Sequence, residues 1–429
     1  MKKYFLLQFL ILISIFGWAH PVPNSLLIFD IKEKTIKAEF QLPLSELELA
    51  FGKSLISNPQ LSLQNYNTEL KNYILEHTHI YGENGQLWKL NIVKMEIGKA
   101  EQSYTGIYNQ LEVYLVWNIP EKESNRKFTL RYDGIVHQVI NHQALVSIRQ
   151  DWDSGKVNNQ AAEIGVISMN TEKNIVYPLK INLSEGSNWK GFKSMVFLGV
   201  EHIVEGVDHL LFLLVLLLPS PLLVNTKRWS SFAGIRPSLI KILKIVTGFT
   251  IGHSITLFLG AAGLIHIPSQ IVEILIAVSI LITAVHAVRP IFPDKEVYIA
   301  SLFGLIHGLA FAATLTNLNL SPGKTILSIL GFNIGIEIMQ LFVVVMIMPW
   351  LLILSKNKDY TYLRISGALF AFTASVFWII ERVTNTPNLI TQKLMLLPNY
   401  ANYIIVFLIS LTILQLLFKD KKIKNWVSK

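Results

Sequence analysis

The chain has 429 residues, 51% of them hydrophobic, a formal net charge of +9 and no cysteine. The lack of cysteine excludes disulfides, thiolate metal sites and cysteine nucleophiles, so any bound metal takes nitrogen and oxygen donors. Hydrophobic residues crowd the second half in runs of membrane length, and Lys and Arg collect in the short loops between them. That is a pattern of membrane orientation and not of nucleic-acid binding.

Residues 1–19, MKKYFLLQFLILISIFGWA, begin with Lys2 and Lys3, continue with an apolar stretch from Phe5 to Phe16, and end on Gly17 and Ala19. This is the pattern of a secretory signal peptide with cleavage after Ala19. Cleavage would leave His20 at the new terminus, where the free amine and the imidazole can chelate a metal. Residues 20–185 have soluble composition and read as an exported, β-rich domain. Ser25–Leu42 alternates as two strands around a turn at Lys32–Lys34, and Leu70–Tyr81 reads as a short helix. Leu87–Ile97, Gln110–Trp117, Lys127–Tyr132, His137–Ile148 and Ile164–Met169 read as further strands, which together suggest a sandwich. His77 and His79 would share a face if their segment is extended and diverge if it is helical. Nothing in this stretch names its function, although it offers a surface for a periplasmic or membrane partner.

Seven apolar segments follow, at about 196–218, 239–262, 270–288, 297–317, 325–354, 362–381 and 399–418. With the β-rich domain outside, the inner loops and tail hold fifteen Lys and Arg residues against three (Lys324, Arg382 and Lys393) in the outer loops. The signal and the charge bias therefore give one topology, with an inner C-terminus. The expected architecture is an α-helical polytopic membrane bundle of about seven spans, residues 190–429, preceded by an all-β, sandwich-like exported domain.

The first apolar segment opens as GVEHIVEGVDHLLFLLVLLL, Gly199 to Leu218. Taken as one helix, it gathers Glu201, His202, Glu205, Asp208 and His209 within about a 120° arc. An ionisable group at membrane depth costs roughly 2.5–3.5 kcal/mol on insertion scales, so such a stripe needs a shared reason. A bound cation, a water-filled cavity or a proton path would each supply one. An interfacial position for Glu201, His202 and Glu205 is the plainer alternative, but it does not explain Asp208 and His209.

Later spans carry matching polar faces. Thr247, Thr250, His253 and Ser254 line one face of the second. Glu273 lies near the outer end of the third, with Ser279 deeper and His286 at its inner end. Ser301, Gly304, His307, Gly308 and Phe311 align on the fourth, where small residues allow close helix approach. Asn333, Glu337 and Gln340 line the fifth. Imidazoles and carboxylates from four helices at similar depth can surround one divalent ion.

These motifs resemble the HupE/UreJ family of bacterial membrane proteins. The resemblance rests on His202-x5-Asp208-His209, GFTIGHSITL at 248–257, VEILIAVSI at 272–280, FGLIHGLAFA at 303–312 and FNIGIEIMQL at 332–341. It covers roughly residues 196–345, and the large N-terminal domain departs from the short members of the family. The resemblance implies a cytoplasmic (inner) membrane location and the handling of a divalent transition metal, nickel foremost, with cobalt or zinc as alternatives. It makes His202, Asp208, His209, His253, His307 and Glu337 the metal candidates. Glu205, Thr250, Ser254, Glu273, Asn333 and Gln340 form a supporting polar path. The chain has no G-x-x-x-x-G-K-[ST] loop for ATP, so a permease would draw on an ion gradient or a partner. Two other readings stand beside the permease: an intramembrane zinc hydrolase of the ceramidase-like type, and a non-transporting accessory protein. Transport is preferred to enzymatic activity.

Overall fold

The computed structural model describes residues 23–427 apart from 103–105, 159, 184, 266 and 319. The signal-like stretch 1–19 and His20 lie outside the described residues. The chain forms two compact units, one up to Gly186 and one from Ser187.

The first unit is β-rich. Its larger sheet contains β1 (Ser25–Ile31), β2 (Thr35–Pro43), β4 (Lys89–Gln102), β5 (Gly106–Asn118), β7 (Ala144–Asp151) and β8 (Ala162–Ile167) in the order β4-β5-β2-β1-β7-β8. A smaller sheet runs β11-β6-β3, from Leu179–Asn182, Lys127–Tyr132 and Thr78–Gly82, and β9 (Met169–Asn170) pairs with β10 (Ile175–Val176) as a separate ribbon. Neighbours in the large sheet are antiparallel except β1 and β7, which run parallel. Strict alternation explains the layering: Leu27, Phe29 and Ile31 on β1, Phe40 and Leu42 on β2, and Val113, Leu115 and Trp117 on β5 all turn inward. Phe40 meets Tyr132 of the second sheet edge-on, with ring centroids 5.6 Å apart. The two sheets therefore share one core, as the sandwich reading expects. On the large sheet Arg149 bridges three strands, with Nη2 2.8 Å from Asp30 and Nη1 2.8 Å from Glu39.

Three helices, α1 (Leu44–Phe51), α2 (Pro59–Asn65) and α3 (Asn67–Glu76), occupy the connection between β2 and β3. The expected helix over 70–81 thus divides: α3 stops at Glu76 and β3 begins at Thr78, whose side chain and that of Ile80 point into the core. His77 and His79 therefore serve different elements. His77 Nδ1 lies 2.8 Å from the Asp133 carboxylate, and its ring stacks on His137 at 4.4 Å. The strand expected from His137 begins only at Ala144; the preceding residues form turns that bury Ile135 and Val136.

One buried histidine makes this unit acid-sensitive. His142 is fully inaccessible, accepts or donates one bond to Ser25 Oγ at 2.8 Å, and is pushed down to about 4 by burial. It is neutral in the fold and takes up a proton on unfolding below its ordinary value of about 6.5. Stability is therefore lost as pH falls from about 6.5 to 4, by roughly 3 kcal/mol from this residue. Residues 20–185 expressed alone are expected to unfold cooperatively, with a midpoint in urea that falls over that pH window. His142→Asn should flatten the dependence; an unchanged slope would remove His142 as its source.

The second unit is helical and belongs to a membrane protein. Its elements are α4 (Asn188–Glu205), α5 (Val207–Leu217), a hairpin of β12 (Leu222–Asn225) and β13 (Arg228–Phe232), α6 (Ile235–Ala261), α7 (Ser269–Val288), α8 (Glu296–Leu318), α9 (Pro322–Leu354), α10 (Tyr360–Thr384), α11 (Leu389–Leu394) and α12 (Ala401–Val427). Among the described residues five helices are long and apolar enough to cross a membrane, and Val207–Leu217 and Glu296–Ala312 are shorter apolar helices. This is compatible with about seven passes. One expectation is overturned: Gly199–Leu218 is not one helix. The helix breaks at Gly206, where ψ is 86°, so His202 ends one helix while Asp208 and His209 begin the next.

Glycine sets the close helix contacts. A Cβ on Gly199 would lie 2.0 Å from the Phe332 carbonyl oxygen, and one on Gly335 2.0 Å from that of Val196, so α4 and α9 touch backbone to backbone. The same holds for α6 and α8 at Gly252 and Gly304. At the far end of the bundle Arg364 is buried and gives Nη1 to the last carbonyls of α7, at Ala287 and Val288.

A candidate metal centre at a broken helix

The break at Gly206 folds the end of α4 back toward the start of α5. Gly206 has no side chain to obstruct this: a Cβ there would meet the His202 carbonyl at 2.6 Å, His209 Nδ1 at 3.0 Å and Asp208 Oδ1 at 3.2 Å. The His202 and His209 rings consequently lie edge to face with centroids 4.7 Å apart. His253 on α6 stands 6.2 Å from His202 and 6.4 Å from His209, centroid to centroid. One ring nitrogen from each of these three residues lies within 4.8 Å of the others. His307 on α8 adjoins the group, 4.8 Å from the His209 ring. Phe249, Phe311 and Phe332 pack against these rings.

The partners of each imidazole fix which nitrogen is free. Asp208 Oδ1 lies 3.0 Å from His209 Nδ1, and as a carboxylate it can only accept. Nδ1 of His209 therefore donates, and Nε2 presents its lone pair. Asn333 donates through its amide nitrogen to the Ile329 carbonyl at 2.8 Å, which leaves Oδ1 facing His253 Nδ1 at 3.3 Å. His253 is thereby set in the same tautomer. Ser279 Oγ donates to the Ile276 carbonyl at 2.7 Å and accepts from His307 Nε2 at 3.0 Å, so His307 has its lone pair on Nδ1. Nε2 of His202, His209 and His253 and Nδ1 of His307 are all buried without a hydrogen-bond partner. Buried polar atoms are rarely left so, and four in one cluster need an explanation. Metal-binding histidines commonly show this arrangement, one nitrogen held from behind and the other bare.

The remaining sequence candidates take other places. Asp208 is one-third exposed and sits behind His209 instead of within the imidazole triad. Glu337 is not in the triad either; it accepts from Thr247 Oγ1 at 3.0 Å on the seam between α6 and α9. On that seam Thr250 donates to the Val246 carbonyl at 3.2 Å and lies 3.1 Å from Gln340 Oε1. Ser254 spends its hydroxyl on the Thr250 carbonyl at 2.7 Å. Glu205 is exposed, and Glu273 pairs with Arg382. His286 is buried instead of lying open at the interface: it stacks on Phe292 at 3.8 Å, and Nδ1 accepts from the Ile291 backbone at 3.2 Å.

The roles of two contributors escape a reading by sequence. Ser279 stands out in the chain only as a polar residue deep in the third span, one turn from Thr283, and the fold shows that it orients His307. Arg382 follows Glu381 at a span end, where a charge pair reads as interfacial. Neither a curated protein nor a solved structure gives a significant match to the chain. The family model described as HupE / UreJ protein matches residues 179–382, which reach from the strand before α4 to the last turns of α10 and include every histidine of the cluster. Over residues 179–382 the chain accordingly matches the HupE/UreJ family.

Proposed function

We propose that the protein moves a divalent transition-metal ion, nickel or cobalt foremost, across the cytoplasmic membrane through the site formed by His202, His209, His253 and His307. The observation that carries this reading is the set of four buried imidazole nitrogens with no partner, three of them with tautomers fixed by Asp208, Asn333 and Ser279. An all-imidazole donor set suits nickel, cobalt and zinc and disfavours magnesium and calcium, which take oxygen. Neutral imidazoles leave the charge of the ion uncompensated, and the Asp208 carboxylate directly behind His209 supplies the balance. Asp208 acts through His209, as an orienting and charge-balancing group. A broken helix that presents its ends to the site is a recurrent device of transporters, because the polar half-helix termini can face an ion. Glu337, Thr247, Gln340 and Thr250 extend a polar seam between α6 and α9 along which an ion can step. The β-rich unit lies outside the cytoplasm in this reading, in keeping with the signal-like start and the loop charges.

Elemental analysis of purified full-length protein after exposure to nickel, cobalt or zinc is expected to find close to one bound ion per chain, with faster accumulation of that ion by cells that carry the protein. Metal-free protein and unchanged accumulation would overturn the reading. Three imidazoles are also the donor set of catalytic zinc sites, which keep one position open for water. Hydrolysis of a lipid or peptide by the purified zinc form, without accumulation in cells, would favour the enzymatic alternative.

A further inference from the structure

We propose that Arg382 is a built-in counter-cation at the mouth of the histidine site, which an incoming divalent ion must displace. The inference rests on the metal-handling reading above. A cavity of about 140 Å³ opens at the break between α4 and α5, with Glu205, Asp208, Glu273 and Arg382 in its walls beside Gly206. Asp208 belongs to both spaces. Its side chain lines the cavity, and its Oδ1 holds His209 Nδ1. The other nitrogen of His209 is buried, unpartnered and part of the cluster. One carboxylate thus separates a polar mouth from the imidazoles, and three carboxylates in the mouth attract cations.

Arg382 already answers that attraction. Its Nε lies 2.5 Å from Glu273 Oε2 and its Nη1 3.0 Å from Glu381 Oε1. Glu381 is fixed independently, by the Thr391 hydroxyl and by Asn388 Nδ2 at 3.2 Å. The guanidinium therefore has two anchors of different kinds: Glu273, which faces the cavity, and Glu381, which α11 holds in place. A guanidinium does not lose its proton in proteins, so it cannot yield to a second cation by becoming neutral. It yields by moving. When a divalent ion takes Glu273, Arg382 can remain on Glu381. A monovalent ion competes less well for the same carboxylate against a charge-assisted guanidinium contact, so the arrangement favours higher charge.

The alternative is that Arg382 only ties α7 to α10. That tie has a second component that the side chain does not supply, because Gln270 Nε2 donates to the Arg382 backbone carbonyl at 2.7 Å. Arg382→Gln should consequently fold.

The test follows Co²⁺ loading of the full-length protein in lipid nanodiscs by stopped-flow absorbance of the cobalt–imidazole bands. Arg382→Gln is expected to load about tenfold faster than wild type at low ionic strength, in the lower range of electrostatic steering effects, and the gain should shrink with added salt. Glu273→Gln should load more slowly, and the double variant should return toward the wild-type rate. Loading of Arg382→Gln at or below the wild-type rate would overturn the proposal. If wild type shows no Co²⁺ spectrum that His209→Ala removes, the metal reading itself falls, and an unchanged rate with that spectrum intact removes only the role of Arg382.

Discussion

Replacing His253 by alanine is expected to abolish metal binding by the purified protein without preventing its insertion. His253 is fully buried, lies in the group of three whose nitrogens fall within 4.8 Å of one another, and is oriented by Asn333. An ion that has shed its water needs all of these donors, and two imidazoles cannot close the shell that three or four provide. The loss should exceed the ~10–100-fold that changes to an orienting partner cost. His209→Ala should behave alike, since its free Nε2 belongs to the same group. Asn333→Leu and Asp208→Asn remove only what stands behind the ligands, so each should weaken binding by about 10–100-fold. Glu201→Asn should matter less, because Glu201 lies outside the imidazole group. His286→Ala is the control: that residue is equally buried but is held by the Ile291 amide and Phe292. Binding by isothermal titration of nickel, normalised to inserted protein, decides the matter. Full binding in His253→Ala, or an equal loss in His286→Ala, would contradict the assignment.

The sequence pattern carried the histidines further than it carried the acids. A histidine in an apolar run has few plain explanations, so His209, His253 and His307 stand out in the chain, and the small residues around His307 announce a close helix contact. Carboxylates are harder to place from spacing. Asp208 shares a helix face with His209 and Glu337 one with Asn333, yet Asp208 sits behind His209 and Glu337 binds Thr247. Periodicity reports the face of a helix; the distance along a packed seam depends on where two helices cross. The break at Gly206 was hidden for a related reason. The period of 3.6 continues through GVEHIVEGVDHL without interruption, and a single glycine is compatible with a helix interior. What decides the break is tertiary, because His202 and His209 come within 4.7 Å only if the chain turns there. In the β-rich unit, alternation located β1, β2, β5 and β6 well. It failed at 137–143, which continues the turn that buries Ile135 and Val136 in the core, and at 77–79, where a helix passes directly into a strand.

Gly304→Leu is expected to remove metal binding as completely as loss of a ligand, although Gly304 touches no ion. The ideal Cβ position on Gly304 is 2.1 Å from the Phe249 carbonyl oxygen; on Gly252 it is 2.1 Å from that of Ser301, and on Gly308 2.3 Å from that of His253. The contact partners are backbone, which cannot rotate aside as a side chain does. Any added carbon must therefore push α8 away from α6. His253 and His307 ride on those two helices, one turn from the contact, so the imidazoles separate with them. Overpacking of this kind costs about 1–3 kcal/mol even where side chains can adjust. Here the displaced groups include His307, whose bond to Ser279 at 3.0 Å fixes its tautomer. Gly304→Ala should fall between wild type and Gly304→Leu, because its single carbon already meets the carbonyl. Gly323→Ala, at the start of α9 with nothing within 4 Å of its Cβ position, should bind metal as wild type does. Nickel stoichiometry and thermal unfolding in detergent test the series together. A graded loss of binding, with a lowered unfolding temperature in Gly304→Leu and neither change in Gly323→Ala, is the expected result. Wild-type binding in Gly304→Leu would show that the position of His307 relative to His253 is not what holds the ion, and the site would then have to rest on α4 and α5 alone.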